Sequence, residues 1–427
     1  MDSTGKKTIR IVGGGFSGLT CAYFLLKAGF QVEVLEKTSR VGGLLQTLRT
    51  PYGLVETAAN AFISSPQLED LCREIGLELR PPMPTARARF IFRGRPTRFP
   101  VRLFEIFSLL KFLIQMSISK NSLRPQQQES LRQWGSRVLS KSLSFYTIET
   151  AFQGIYAGNP QRMSASLMLT GLFKKSQRNS SQKKFKGSVS PGNGMGEFCE
   201  KLFDYLQKEG VRFHFNQNIN QNILSAKLTE ALIVALPAYE AAKIFELNEP
   251  QLASRLSQVE YLPVITATIF FDKANHSLQG FGCLFPPVEK NLALGVLFNH
   301  CIFEDRVKNS VSETWILGGA RVTNKKEFLA LSDHEILEVA LRQRQPLDAR
   351  FRDLNLQQMM SQVLDTRVTR WERALPHYTT ELEVLIRDLH SENKNVFLHG
   401  NYLGEIGLSK LIERSALIAE QIGARLG

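Results

Sequence analysis

The chain has 427 residues, a net charge of +13, 43% hydrophobic and 22% charged residues. Such a length exceeds one small core and implies two or three structural units of an ordinary globular protein. The positive excess favours anionic partners (an acidic substrate, anionic lipid or nucleic acid) without choosing among them. The five cysteines are scattered and form no CxxC pair. That pattern argues against a disulfide frame or a zinc site and suits reduced thiols in a cytoplasmic setting. The seven histidines show no ligand spacing. The first residues, Met1 to Lys7, read as a short polar lead rather than a signal peptide. No run of about twenty apolar residues is free of charge, so a spanning helix is not expected.

The first element is a strand, a glycine turn, a helix, a second strand and an acid. Gly13, Gly15 and Gly18 occupy the three glycine places of a dinucleotide fingerprint, with Gly14, Phe16 and Ser17 between them. The first glycine makes the tight turn, the second admits a pyrophosphate, and the third lets helix pack on strand. A helix starting near Ser17 offers N–H groups and a positive dipole end to that anion. Glu36 ends the second strand, where an acid binds an adenosine ribose.

Lys37 follows, then Arg40-Val41-Gly42-Gly43-Leu44. An acid, a gap and Arg-x-Gly-Gly resembles the continuation in flavin amine oxidases, which points from any dinucleotide to FAD. Paired glycines let backbone pass close under a pyrophosphate or flat ring, and Arg40 can bond phosphate. Glu56 and the small residues after it, ending at Asn60, resemble the segment running past the flavin in the same families. Residues 65–75 read as a capped amphipathic helix with Pro66 in its first turn.

Residues 87–95 read as a hairpin in which Phe90 and Phe92 alternate with arginines. From 101 to 118 the pattern predicts a helix with only a narrow polar stripe: Glu105, Ser108, Lys111 and Gln115. Arg93, Arg95, Arg98 and Arg102 precede it, and Lys120 and Arg124 follow. Two readings stand side by side: a helix dipping into one membrane leaflet, or a buried helix of a small helical domain. Residues 125–150 read as further helix, and 174–187 as a polar, flexible insert. Helices are expected over 198–209 and 331–342. Strands are expected over 211–215, 231–236, 266–272, 292–299 and 313–318. Near the end, a short strand into Gly400-Asn401 and a glycine turn, Gly407-Leu408, lead a helix over 410–426. That arrangement aims further N–H groups at the cofactor.

Several segments in order resemble the oxygen-dependent protoporphyrinogen and coproporphyrinogen oxidases of haem synthesis. Gly154-Ile155-Tyr156-Ala157-Gly158-Asn159-Pro160 is similar to that family's GxYAGDP, and Gly192 to Glu197 to its GGMGEL segment. Gly280 to Pro286 with Phe298 to Arg306 is similar to its GFGxLxP…S-x-LFPxR. Trp371 to Tyr378 is similar to its W…A-x-PQY, with His377 in the glutamine place. Departures are Glu304-Asp305 before Arg306, Ala58-Ala59 before Asn60, and Arg414-Ser415 in the last helix.

The resemblance implies an α/β, overall α+β, fold: a discontinuous Rossmann-like FAD domain (1–80, 186–245, 369–427), a mixed-sheet substrate domain (81–100, 246–368), and a helical, membrane-associating insert (101–185). It implies removal of hydrogens from a methylene-bridged macrocycle by a flavin that oxygen reoxidises, so no catalytic acid, base or metal is needed. It assigns Arg89 to a substrate propionate, Gly154 to the backbone over the macrocycle, Leu284 and Phe303 to its two faces, and Asn60 to the space between flavin and substrate. It adds Val41, Ile219, Ala235 and Trp371 as cofactor contacts. Partners are then a porphyrinogen and oxygen, with no nucleic acid; the protein would be cytoplasmic or peripheral on the cytoplasmic face of a membrane. Two other readings stay open: a flavin oxidase or desaturase of an amine or polyene, and a non-catalytic flavoprotein. The choice of porphyrinogen and the oligomeric state stay open as well.

Overall fold

A computed structural model describes residues 7–98, 102–173, 184–217, 230–273, 278–287, 292–405 and 407–426. Two sheets organise them. The first has five parallel strands in the order Arg212–His214, Gln31–Leu35, Thr8–Val12, Ala231–Val234 and Val396–Leu398. Three distant stretches of chain therefore meet in one sheet. Ala231–Val234 is buried at every position, as expected of a parallel strand covered on both faces. Helix Phe16–Lys27 lies against this sheet, with Leu19, Phe198, Leu202, Ile412 and Ile418 in the same core. It also packs on the C-terminal helix Leu408–Leu426, where Thr20 Oγ1 and Ser415 Oγ stand 2.8 Å apart.

The second sheet has seven strands. Their order is Val363–Pro376, Tyr261–Asp272, Ser310–Gly318, Ala293–Phe298, Gly282–Leu284, Arg89–Phe92 and Pro96–Thr97. Its one parallel pair, Arg89–Phe92 with Gly282–Leu284, makes it mixed. Beneath it Arg344 is fully buried between Glu313, at 2.9 Å, and Asp348, at 3.1 Å, with its guanidinium stacked 3.5 Å from the Phe351 ring.

Two expected helices differ in extent for identifiable reasons. The one expected from residue 198 begins at Met195. Gly194, at φ +98°, turns the chain, and the Met195 N–H donates to Glu56 Oε1 at 2.9 Å. A partner 139 residues away thus takes the place of a local cap. The stretch 125–150 is broken instead of continuous. Ser130 caps Leu131–Val138 and Ser140 caps Lys141–Ser144, each hydroxyl accepting an N–H three residues on. A π-turn, Phe145–Glu149, then joins the second to Thr150–Tyr156.

Helix Leu103–Ile118 is not buried. Glu105 is its only buried residue, while Leu103, Phe104, Phe107, Leu110, Leu113, Ile114 and Ile118 are exposed. Two members of the polar stripe face inward beside Phe112 and Met116, while Lys111 is exposed: Glu105 accepts from Arg93 at 3.2 and 3.3 Å and from the Arg102 N–H at 2.7 Å, and Ser108 Oγ accepts from the Ser140 N–H at 2.7 Å. Arg93 is thus drawn inward, with its guanidinium 3.6 Å from the Tyr146 ring, and does not join the basic flank. Among the described residues no helix is long and apolar enough to cross a membrane. Most of the polar insert expected over 174–187 lies outside the described residues.

Candidate functional site

The glycine turn is set by backbone demands. Gly13 sits at φ +103°, and its N–H donates to the Leu35 carbonyl at 2.8 Å. A Cβ on Gly18 would stand 1.8 Å from the Gly13 carbonyl oxygen, so only glycine allows helix and turn to meet. Gly15 is the N-cap of helix Phe16–Lys27, with no side chain capping it. The first-turn N–H groups are therefore left for another acceptor.

Glu36 is almost fully buried beside this turn. Its Oε2 accepts from the Gly14 N–H at 2.8 Å; its Oε1 accepts from the N–H and hydroxyl of Thr38 at 2.9 and 2.8 Å. Gly42, at φ +94°, bridges to Gly15, and its N–H donates to the Gly14 carbonyl at 2.9 Å. Backbone passes backbone here with no side chain between: a Cβ on Gly43 would stand 3.2 Å from the Gly15 Cα. Arg40 is exposed and bonds the carbonyls of Val41, at 3.1 Å, and Gly43, at 2.7 Å. Lys37 turns to Glu240 at 3.6 Å, and Leu44 is exposed. Phe16 is buried against the Phe62 and Phe198 rings, and Ser17 opens the helix behind it.

Ala235 follows the next strand, its carbonyl oxygen 2.6 Å from where a Gly13 Cβ would be. Gly400 and Asn401 follow Val396–Leu398, and Gly407 precedes the C-terminal helix at φ +98°. Leu408 is the first residue of that helix. Ser409 next to it donates to the Ile63 carbonyl, tying the helix start to residues 62–63. Most of the cofactor candidates therefore gather at the carboxyl ends of the parallel strands, where open α/β sheets bind ligands. Ile219 lies outside the described residues. Trp371 reaches the site from the other sheet, its Nε1–H donating to the Thr57 carbonyl at 2.7 Å. That bond seats the segment ending at Asn60, whose own Nδ2 contacts the Ala58 carbonyl at 3.5 Å.

The residues fit a bound dinucleotide on a further observation. His399 Nδ1, the Tyr402 hydroxyl and Arg414 Nε are buried without a hydrogen-bond partner. Two of the three belong to the chain leaving the last parallel strand. Buried polar groups of this kind call for a polar ligand or water. Burial drives the His399 ring down to about 3, with Arg414 acting in the same direction, so this imidazole is neutral. The Cys199 thiol beside Gly42 is pushed up to about 12 by burial and is inert.

The substrate candidates divide. Arg89 is exposed and pairs in register with Gly282, as Ile91 does with Leu284. Alternation along the strands puts Arg89, Ile91 and Leu284 on one face of the sheet. The Arg89 guanidinium lies 4.5 Å from the Phe281 ring. Gly154 meets Leu284 directly: a Cβ there would stand 2.6 Å from Leu284 Cδ2. Phe303 is buried, with the Arg306 guanidinium 5.3 Å from its ring.

Sequence reasoning placed Arg306 and Glu56 in motifs without pairing them. Their buried ion pair, with Arg306 also donating to Ser190 Oγ, ties the loop before strand Ser310–Gly318 to the two-stranded ribbon of Thr47–Thr50 and Gly53–Glu56 and to the strand Ser188–Pro191. Backbone contacts reinforce the seam: Leu54 N–H donates to the Arg306 carbonyl at 2.9 Å, and Gly53 bridges to Val307. A hollow of about 390 Å³, lined in part by Arg49, Arg80, Asp305 and Lys308, also opens there and contains none of the substrate candidates.

A model of the family described as flavin containing amine oxidoreductase matches residues 16–407. The chain is 23% identical to a chloroplastic protoporphyrinogen oxidase of Nicotiana tabacum, over 96% of this chain and 84% of that protein. It is 22% identical to the protoporphyrinogen oxidase of Homo sapiens, over 87% of this chain and 88% of the other. Among solved structures, cyclohexylamine oxidase from Brevibacterium oxydans superposes with a TM-score of 0.69 at 14% identity, covering 99% of both chains. The glycine turn, the buried acid and this near-complete match agree: the chain belongs to the flavin containing amine oxidoreductase family.

Proposed function

We propose that the chain binds FAD and dehydrogenates a porphyrinogen, protoporphyrinogen IX or the coproporphyrinogen III equivalent, with oxygen as the final acceptor. The observation that carries this reading is the sheet face shared by Arg89, Ile91 and Leu284, with Gly154 laid against Leu284. It offers an apolar shelf beside one exposed guanidinium, which suits a flat, greasy ring bearing carboxylates. The full-length similarity to proteins named protoporphyrinogen oxidase supports it. An amine or polyene would leave Arg89 with nothing to bind.

Bound flavin supplies the hydride-accepting chemistry. This chain's residues hold and orient. The helix start at Gly15 to Ser17 and the glycines at 42 and 43 would take the pyrophosphate, Glu36 the adenosine ribose, and the 57–60 segment the flavin side. Supplying aerobic protein with the two-propionate and the four-propionate porphyrinogen tests the reading: red porphyrin fluorescence should grow with one of them. A yellow protein yielding porphyrin with neither would overturn it.

The exposed helix Leu103–Ile118 is the seat of a peripheral contact with an anionic bilayer on the cytoplasmic side. Its outward face is apolar, and Arg95, Arg98, Arg102, Lys111, Lys120 and Arg124 around it are exposed. Apolar insertion and attraction to anionic headgroups add on such a helix. The protein should float with anionic vesicles at low salt, and Phe107→Asp with Ile114→Asp should abolish flotation while leaving flavin content unchanged. Flotation by the double variant equal to that of the parent would contradict this.

A further inference from the structure

The chain leaving helix Thr150–Tyr156 is held from two sides. On one side Ala157, at φ +59°, presents its carbonyl to the Ala320 N–H at 2.7 Å. On the other, the Asn159 N–H donates to His377 Nε2 at 3.0 Å. A backbone N–H can only donate, so Nε2 must carry the lone pair and the ring proton sits on Nδ1. That proton points to Glu260 Oε1, 3.2 Å away. Glu260 is in turn paired with Arg162 at 2.9 Å. The fit is close, since a Cβ on Gly158 would stand 3.2 Å from His377 Cδ2 and 2.7 Å from Met163 Sδ. His377 directly follows the strand Val363–Pro376, and its ring is almost wholly buried.

We propose that His377 is a positioning residue: its neutral ring latches residues 157–160 of the helical insert to the end of the substrate-facing sheet, and protonation opens the latch. A doubly protonated ring has no acceptor for the Asn159 N–H and places two donors head to head. The released segment follows directly on the helix that lays Gly154 against Leu284. Acid therefore loosens one wall of the substrate face. The latch goes beyond the porphyrinogen reading and does not depend on what the flavin oxidises.

The charged groups acting on the ring are Glu260 and Glu381, which favour its protonation, and Arg162, which opposes it. Burial is the largest influence and holds the ring below its ordinary value. A buried histidine of this kind keeps its contribution above the unfolded value of about 6.5 and loses it as pH falls from there towards the folded value.

Amide hydrogen exchange on the full-length, flavin-loaded protein between pH 5 and pH 8 tests the proposal, with rates corrected for intrinsic pH dependence. In the parent, peptides covering residues 155–163 should keep constant protection above about pH 7 and lose up to about tenfold per pH unit below 6.5. Peptides of Ser310–Gly318 should not follow. In His377→Gln, whose amide can accept from Asn159 and donate to Glu260 without titrating, protection should be flat. Glu260→Gln keeps an acceptor for Nδ1 but removes a charge that favours protonation, so the loss should still begin near pH 6.5 but run on to lower pH and become larger at its acid end; this variant serves if His377→Gln does not fold. Equal pH dependence in parent and His377→Gln, or a loss in Glu260→Gln smaller than the parent's at the acid end, would overturn the latch.

Discussion

Gly18 and Arg89 mark two kinds of residue that a sequence can and cannot place. Gly18 answers a local backbone demand. A methyl group there would overlap the Gly13 carbonyl, so Gly18→Ala should open the turn and weaken flavin binding by at least about tenfold, or 1.4 kcal/mol. The ratio of flavin absorbance to protein, before and after adding FAD, measures it. Full retention of flavin would show that the turn is not the cofactor's seat. Arg89 is proposed to answer a ligand, and among the described residues its guanidinium lies over the Phe281 ring. Loss of a charge-assisted hydrogen bond costs about 1.5–3 kcal/mol. Under the porphyrinogen reading, Arg89→Ala should therefore raise KM by about tenfold or more, with kcat and flavin content nearly unchanged. Steady-state kinetics decide this, and an unchanged KM would favour a substrate without carboxylates.

At the scale of elements, the glycine turn, the parallel strands and the strand at Arg89 were legible because period and turn chemistry are local, while the return strand of the hairpin, Pro96–Thr97, lies just past the expected 87–95. What escaped was long-range pairing. Glu56 and Arg306 are 250 residues apart, Glu260 and His377 117 apart, and no periodicity links them. The burial of Glu105 escaped for another reason: its helix turns Glu105 and Ser108 inward and most of its apolar side chains outward, against the usual rule. The Glu56–Arg306 pair gives a stability test. Arg306→Leu strands the Glu56 carboxylate in the seam, and breaking a buried pair this way costs about 3–5 kcal/mol. Denaturant unfolding should show that loss, and Glu56→Gln in the same chain should recover part of it. A loss under about 1 kcal/mol would place the pair in the class of weak surface bridges.

Across the whole molecule, three distant stretches of chain build one nucleotide-type sheet, and Arg306 and Trp371 fix the substrate-side chain to the intervening segment 53–57. The discontinuity was readable, since each returning stretch carries its own buried strand and glycine turn. The choice of substrate was less so, because the face that would meet it is assembled from Arg89, Gly154 and Leu284, which no local pattern connects. In the proposed reaction, electrons pass directly from a porphyrinogen on that face to flavin at the strand ends. Mixing the flavin-loaded protein with porphyrinogen in the absence of oxygen tests it most directly. The visible flavin absorption should bleach as each flavin takes two electrons from the macrocycle; full oxidation to porphyrin removes six, so at most one porphyrin should form per three flavins reduced. Flavin that stays oxidised with both the two-propionate and the four-propionate macrocycle would contradict it.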